Sequence, residues 1–163
     1  MPRVPFDNLP EDARVWIFAA ERPLDEPERQ RLLAAVDRFI DQWGAHTAPL
    51  TAGRDLQYDQ FLFVAVDQRT VGPSGCSIDA LVRQIRALQQ ELGIELVNNA
   101  WVLFRQGKGI ERVGREVFAD LATSGKVSLE TTVFNNALTS LRDVRAGRWE
   151  GPASASWHAQ AFF

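Results

Sequence analysis

A single cysteine, Cys76, stands among 163 residues. One thiol closes no internal disulfide, so a secreted disulfide scaffold is excluded. Histidine is nearly as scarce, with only His46 and His158. Together with Cys76 they cannot supply the four Cys/His ligands of a structural zinc site. No long hydrophobic run exists: the longest strongly apolar stretch, Phe61 to Val66, is far too short to span a bilayer. The opening MPRVPFDNLPEDAR has no apolar segment of signal-peptide length, and the cytoplasm is the expected compartment. Positive charge is not in excess, with 18 Lys and Arg against 21 Asp and Glu, a net charge of −3. A mildly acidic chain lacks the basic footprint of a nucleic-acid binder.

Familiar motifs are missing as well. A P-loop needs a glycine five residues before its Gly-Lys pair and a Ser or Thr after it. The two Gly-Lys pairs here, Gly107-Lys108 and Gly125-Lys126, have Val102 and Asp120 at the first position and Gly109 and Val127 at the second. No G-x-G-x-x-G, H-E-x-x-H or G-x-S-x-G occurs. No cofactor is implied, and ATPase activity is not supported.

What is present is an ordinary globular composition, 45% hydrophobic and 24% charged. A chain of this length buries roughly 70% of its unfolded surface, enough for a core without staples. Residues 1–12 carry prolines at 2, 5 and 10 and read as an irregular arm. RVWIFAA (14–20) reads as a buried strand. Pro27, behind Asp25 and beside Glu26 and Glu28, opens a helix whose apolar stripe is Leu32, Leu33, Val36, Phe39, Ile40 and Trp43, with Gly44 as its stop. A weak edge strand follows at 52–59, its Asp55 and Asp59 a solvated guard against pairing with other chains. QFLFVAVD (60–67) is apolar on both faces and so predicts a central strand. A second helix from about Ser77 carries Ile78, Leu81, Val82, Ile85, Leu88 and Leu92 and stops at Gly93. AWVLFR (100–105) is a further strand.

This β-α-β-β-α-β order predicts an α+β fold of the ferredoxin-like, split-βαβ type over residues 1–105, with RVWIFAA and QFLFVAV central and antiparallel to each other. Residues 106–163 are expected to form a smaller extension packed on it. It would hold a hairpin at Arg105–Gly109, a short helix at 115–123, a short strand at 131–134 and an aromatic tail.

The sharpest local feature is Gly72-Pro-Ser-Gly-Cys-Ser-Ile-Asp79, between the most buried strand and a helix. Exposed amides at a helix N-terminus favour an anion, and the same place lowers a thiol's pKa. Ser74, Gly75, Ser77 and Asp79, with Arg54 from the same end of the predicted sheet, form a candidate small-anion site. The simpler reading makes Ser74 or Ser77 a cap, Asp79 a complement to the helix dipole and Cys76 a buried packing residue. In the predicted topology the loop holding His46 lies at the same end, so Cys76 as nucleophile or redox thiol and His46 as base are the candidate catalytic pair, with the amides of Ser77 and Ile78 as an oxyanion cradle. A histidine just past a helix is otherwise a C-terminal cap. Trp16 and Trp43 read as core. Trp149 and Trp157 are candidates for a peptide groove, and the aromatic tail is a candidate contact for oligomerisation. His158 reads as structural or surface.

RVWIF, FIDQWGAH, GPSGCSIDALVR, VFNN and SWHAQAF together resemble a small family of bacterial proteins often labelled "ABC transporter ATPase". The resemblance spans nearly the whole chain and implies a shared fold without an established activity. The chain carries neither a Walker A motif nor an LSGGQ-like signature. From Trp101 to Trp149, VGREVFADLATSGKVSLETTVF is faintly similar to GYF-like adaptor domains, which bind proline-rich peptides. It departs from them at Trp101-Val102 and Val113-Gly114, where those domains have Trp-Tyr and Gly-Pro. The leading expectation is a non-catalytic module that binds a small anion or a peptide, and the alternative is a small enzyme built on Cys76 and His46.

Overall fold

The computed structural model describes residues 3–163. Its elements fall into two compact units. The first, running to Val97 and including Thr139–Arg142, holds β1 (Arg14–Ala19), α1 (Glu26–Gln42), β2 (Gly44–Ala45), β3 (Ala48–Pro49), β4 (Thr51–Gln57), β5 (Phe61–Asp67) and α2 (Gly75–Leu92). The second, Asn98–Leu138 with Asp143–Phe163, holds β6 (Trp101–Gln106), β7 (Gly109–Gly114), α3 (Arg115–Thr123) and β8 (Thr132–Phe134). The short α4 (Leu141–Arg145) begins in the first unit and ends in the second, where β9 (Glu150–Pro152) and α5 (His158–Phe162) complete the chain.

The fold is mixed α+β with antiparallel sheets, as expected, but the split-βαβ sheet does not form. In the first unit β5 is central between β1 and β4, and both pairings are antiparallel. RVWIFAA and QFLFVAV are therefore neighbours, Trp16 facing Val64 and Phe18 facing Leu62. The fourth strand, AWVLFR, is absent from this sheet. As β6 it pairs with β7 and β8 in a second sheet of order β7-β6-β8-β9. The Gly107-Lys108 turn joins it tightly to β7, and a hairpin partner so close in sequence costs less closure entropy than a distant one. The outer edge of β1 is instead met by the return segment: Val15 N–H donates to Thr139 O at 2.9 Å, and Leu141 N–H to Ala13 O at 3.0 Å. The division between units thus falls after Val97, not after Arg105.

Each helix of the first unit is fixed at its start by side chains. The Asp25 carboxylate accepts from Glu28 N–H while Glu28 accepts from Asp25 N–H, a reciprocal box with Pro27 in the first turn. Ser74 and Ser77 form the same kind of box on α2, which therefore begins at Gly75, two residues before the expected start. Gly93 ends it with φ +68°, a left-handed value that costs a glycine nothing. On their inner sides Leu32, Val36 and Ile40 of α1 and Leu81, Ile85 and Leu88 of α2 meet Phe18, Leu62, Val64 and Val66. Leu33 and Phe39 of the expected α1 stripe are only partly buried. The helix ends at Gln42, because Gly44 is drawn into the β2–β3 hairpin.

The opposite face of β5 is covered by the N-terminal arm. Val4 N–H donates to Ala52 O at 2.9 Å, and the Phe6 ring meets Phe63 edge-on at 6.2 Å. Gly53 makes this approach possible: a Cβ there would stand 2.6 Å from Val4 O and 3.2 Å from the Phe6 Cα. Both are backbone atoms, which cannot swing aside. Gly53→Ala is expected to destabilise the chain by about 1–3 kcal/mol through overpacking. Gly72→Ala, where a Cβ meets nothing within 4 Å, should leave the denaturant midpoint nearly unchanged. Equal midpoints for the two variants in urea unfolding would refute this role for Gly53.

Candidate functional site

In the first unit, the end of α1 and the start of α2 are tied together by one buried hydrogen bond. The Trp43 indole N–H donates to Ser77 O at 2.8 Å. A depression of about 620 Å³ opens beside this tie, lined among others by Phe39, Trp43, His46, Ser74, Cys76 and Ser77. The residues named by sequence for a thiol site thus share one surface. Cys76 is exposed, against the expectation of burial, because it sits in the first turn of α2 on the side away from the core. His46 caps no helix. With Thr47 it forms the two-residue turn of the β2–β3 hairpin, φ +51° and +67°, the left-handed pair that such tight turns require. Among the described residues neither the His46 ring nor the Cys76 thiol takes part in a hydrogen bond or ion pair.

The cradle expected at this helix start is partly spent. Ser77 N–H donates to the Ser74 hydroxyl at 3.1 Å and Ile78 N–H to Ser74 O at 3.0 Å, so two of the four amides from Gly75 to Ile78 already have partners. Asp79 lies beyond the first turn, exposed. Arg54 is not at this end. It sits on β4 facing α1, where its Nε and Nη2 donate to the two Asp37 oxygens at 2.8 and 3.0 Å. Arg3 adds a third contact to Asp37 at 2.7 Å. Burial pushes the Asp37 carboxyl up, but these two guanidiniums outweigh it and hold it below the usual carboxylate range. Arg54 therefore belongs to a shallow charged groove lined by Arg3, Phe6, Asp37 and Asp55.

The second unit holds a different kind of concavity. Phe118, fully buried on α3, takes the ring edges of Phe104 at 5.3 Å and Phe162 at 4.9 Å. Above this core lies a recess of about 260 Å³, lined by Asn99, Trp101, Arg115, Phe134, Asn136, Ala137, Trp157 and His158. Trp157 is half-buried and stacks on His158 with ring centres 3.9 Å apart. The Arg115 guanidinium lies over the Trp157 ring at 5.0 Å, and that of Arg112 over Trp101 at 3.9 Å. Trp149 does not line the recess. It is 7% exposed, its ring against Phe134 at 5.1 Å and its indole N–H donating to Asn136 Oδ1 at 2.9 Å. Phe162 packs inward, and of the tail aromatics only Phe163 is exposed.

His158 is buried at 1% exposure, bonded through Nδ1 to the Ser156 hydroxyl at 2.7 Å. Burial first, and the nearby charge of Arg115 second, push its pKa down to about 4. Sequence reasoning singled out Trp157 but missed Trp101, Arg115, Asn136 and His158 as its companions. They come from four separate segments, and the one available signal was the polar pair in VFNN beside an aromatic tail. No protein-family model, curated protein sequence or solved structure matches the chain. Among the described residues no helix is long and apolar enough to cross a membrane, and no three-residue cluster suited to a metal occurs.

Two expected outcomes follow from these placements. Exposed Cys76 should react with iodoacetamide in the native chain at a rate within about threefold of the unfolded chain, burial being the main source of protection. Labelling that proceeds only in denaturant would overturn its placement. His158 ties stability to pH. Its unfolded form takes up a proton as the pH falls through about 6.5, but the folded form does not until about 4. The stability held by the neutral ring is therefore complete above 6.5 and drains away between 6.5 and 4, by up to about 3 kcal/mol. In urea titrations at pH 7 and pH 4.5, His158→Gln should lose less stability on acidification than the parent chain. An equal loss in both would refute it.

Proposed function

We propose that the chain is a non-catalytic binding module that holds a short peptide segment in the recess of its second unit, working in the cytoplasm. The observation that carries this reading is the recess itself. Two tryptophans and a phenylalanine wall it, while Asn99, Asn136 and Arg115 bring in the few polar groups that orient a ligand. Aromatic and Arg side chains are the types that dominate binding energy at protein interfaces. The similarity of VGREVFADLATSGKVSLETTVF to GYF-like adaptor domains points the same way, since this run contributes Arg115 and Phe134 to the walls. Kinship with the bacterial proteins labelled "ABC transporter ATPase" would add a shared fold and no ATP chemistry. A net charge of −3 argues against a nucleic-acid partner, and one exposed thiol suits a reducing compartment.

A second reading rests on a different observation, that His46 and Cys76 line one depression. As an enzyme the chain would use Cys76 as nucleophile or redox thiol and His46 as base. The unbonded thiol and ring, and the cradle amides of Ser77 and Ile78 already donating to Ser74, make it the weaker reading.

A displayed peptide library selected on the immobilised chain tests the leading reading. Enriched peptides should bind the parent chain and lose about 30-fold in affinity against Trp157→Ala, the effect of removing one interfacial tryptophan anchor. Cys76→Ser should bind them unchanged. Enrichment indifferent to Trp157, with the variant folded by near-ultraviolet circular dichroism, would refute the recess as the site.

A further inference from the structure

Two of the polar side chains around the recess, Asn136 and Arg115, present donors to it. An indole N–H can only donate, so the bond from Trp149 to Asn136 at 2.9 Å fixes the Asn136 carbonyl oxygen toward Trp149. What Asn136 has left for the recess is its amino group, a donor, and no other hydrogen bond among the described residues engages that side chain. Arg115 is exposed at the rim. Its guanidinium carbon lies 5.0 Å from the centre of the Trp157 ring, and among the described residues no carboxylate pairs with it. A guanidinium over an aromatic face and without a carboxylate partner has its fork of N–H groups available to a planar anion. The recess therefore sets one permanent cation and one oriented donor against aromatic walls.

Its size sets a second limit. At about 260 Å³ it is smaller than the ~300–1,000 Å³ of pockets for drug-sized ligands. It admits one apolar side chain with its own backbone rather than a long segment. A group that places a planar anion one carbon away from an apolar side chain is the terminal residue of a polypeptide, with its free α-carboxylate.

Resting on the peptide-binding reading above, we propose that the recess captures the C-terminal residue of a partner polypeptide. Its carboxylate is held by Arg115 and the Asn136 amino group, and its apolar side chain lies between Trp101, Phe134 and Trp157. Capture of this type needs no reaction and no cofactor, and it gives a role to a cation that has no carboxylate partner among the described residues and stands beside an aromatic-walled concavity.

The test uses the full chain and three probes, followed through the indole N–H signals in heteronuclear NMR. N-acetyl-L-phenylalanine carries a terminal carboxylate, N-acetyl-L-phenylalaninamide carries none, and acetyl-Glu-Phe-amide carries one on a side chain. The acid should shift the Trp101 and Trp157 indoles and bind about tenfold or more tightly than either amide, the value of one charge-assisted hydrogen bond. Arg115→Gln, a change at an exposed position, should bring the acid and its amide to near-equal affinity. Asn136→Ala should weaken the acid more than the amide. Acid and amide binding equally well to the parent chain would overturn the carboxylate inference while leaving a peptide site in place. Tighter binding of acetyl-Glu-Phe-amide than of the acid would overturn the terminal source. If neither these probes nor the library peptides move the two indoles, the peptide-binding reading falls as well.

Discussion

The first unit is organised around a strand that water must not reach from either side. Every residue of β5 from Phe61 to Val66 is buried. Covering it by the helices alone would leave Phe61 and Phe63 exposed on the other face, at roughly 1.5–3 kcal/mol each. Helices α1 and α2 cover Leu62, Val64 and Val66, and the N-terminal arm takes up the other face by crossing β4 at Gly53. Pro5 suits this use, since its fixed φ holds the arm extended just before the short 3-10 turn, Phe6–Asn8, which lies against the sheet. The same arm delivers Arg3 to Asp37, so the charged groove with Arg54 is a by-product of covering β5.

In the second unit a single aromatic plays the corresponding part. Phe118 is fully buried, and rings from β6 and α5 converge on it edge-on, the geometry that the aromatic quadrupole favours. Packing α5 against Phe118 places His158 under Trp157, and the start of α3 places Arg115 over the same indole. Trp157 thereby has a neutral ring stacked on it and a cation within 5.0 Å of its centre. The wall of the recess is preorganised by groups that the core requires in any case, which lowers the ordering cost of binding. Burial and the charge of Arg115 both keep His158 neutral in that stack.

Much of this was legible from sequence, and the failures have a common cause. The acidic, Pro27-marked start of α1, the serine cap of α2, the glycine stop at Gly93 and the central place of QFLFVAV are local or depend only on hydrophobicity, and the structure has them all. AWVLFR joins the second sheet rather than the first, because an apolar strand does not say which edge it will join. Topology alone puts Arg54 with Ser74, yet its charge pairs with Asp37 on α1, a partner 17 residues earlier. Cys76 follows a central strand into a core helix, which suggested burial, but a helix turns 100° per residue and this position points outward. Trp149 and Trp157 look alike in a tail of mixed Ser, Ala and Gly. One is core and the other wall, a difference set by Asn136 and Phe134 from a distant strand.

By itself the sequence determined the class of the fold, the three longer helices, the strand that had to be central and the absence of known nucleotide and zinc motifs. These follow from periodicity and residue chemistry within a window of a dozen residues. Only the tertiary structure decided that β6 leaves the first sheet, that His46 and Cys76 share a surface without bonding, and that Trp101, Arg115, Asn136 and Trp157 meet around one recess. The reason is physical. Strand pairing and side-chain convergence are settled by competition among contacts far apart in the chain, and each such contact depends on the space and partners that all the others leave.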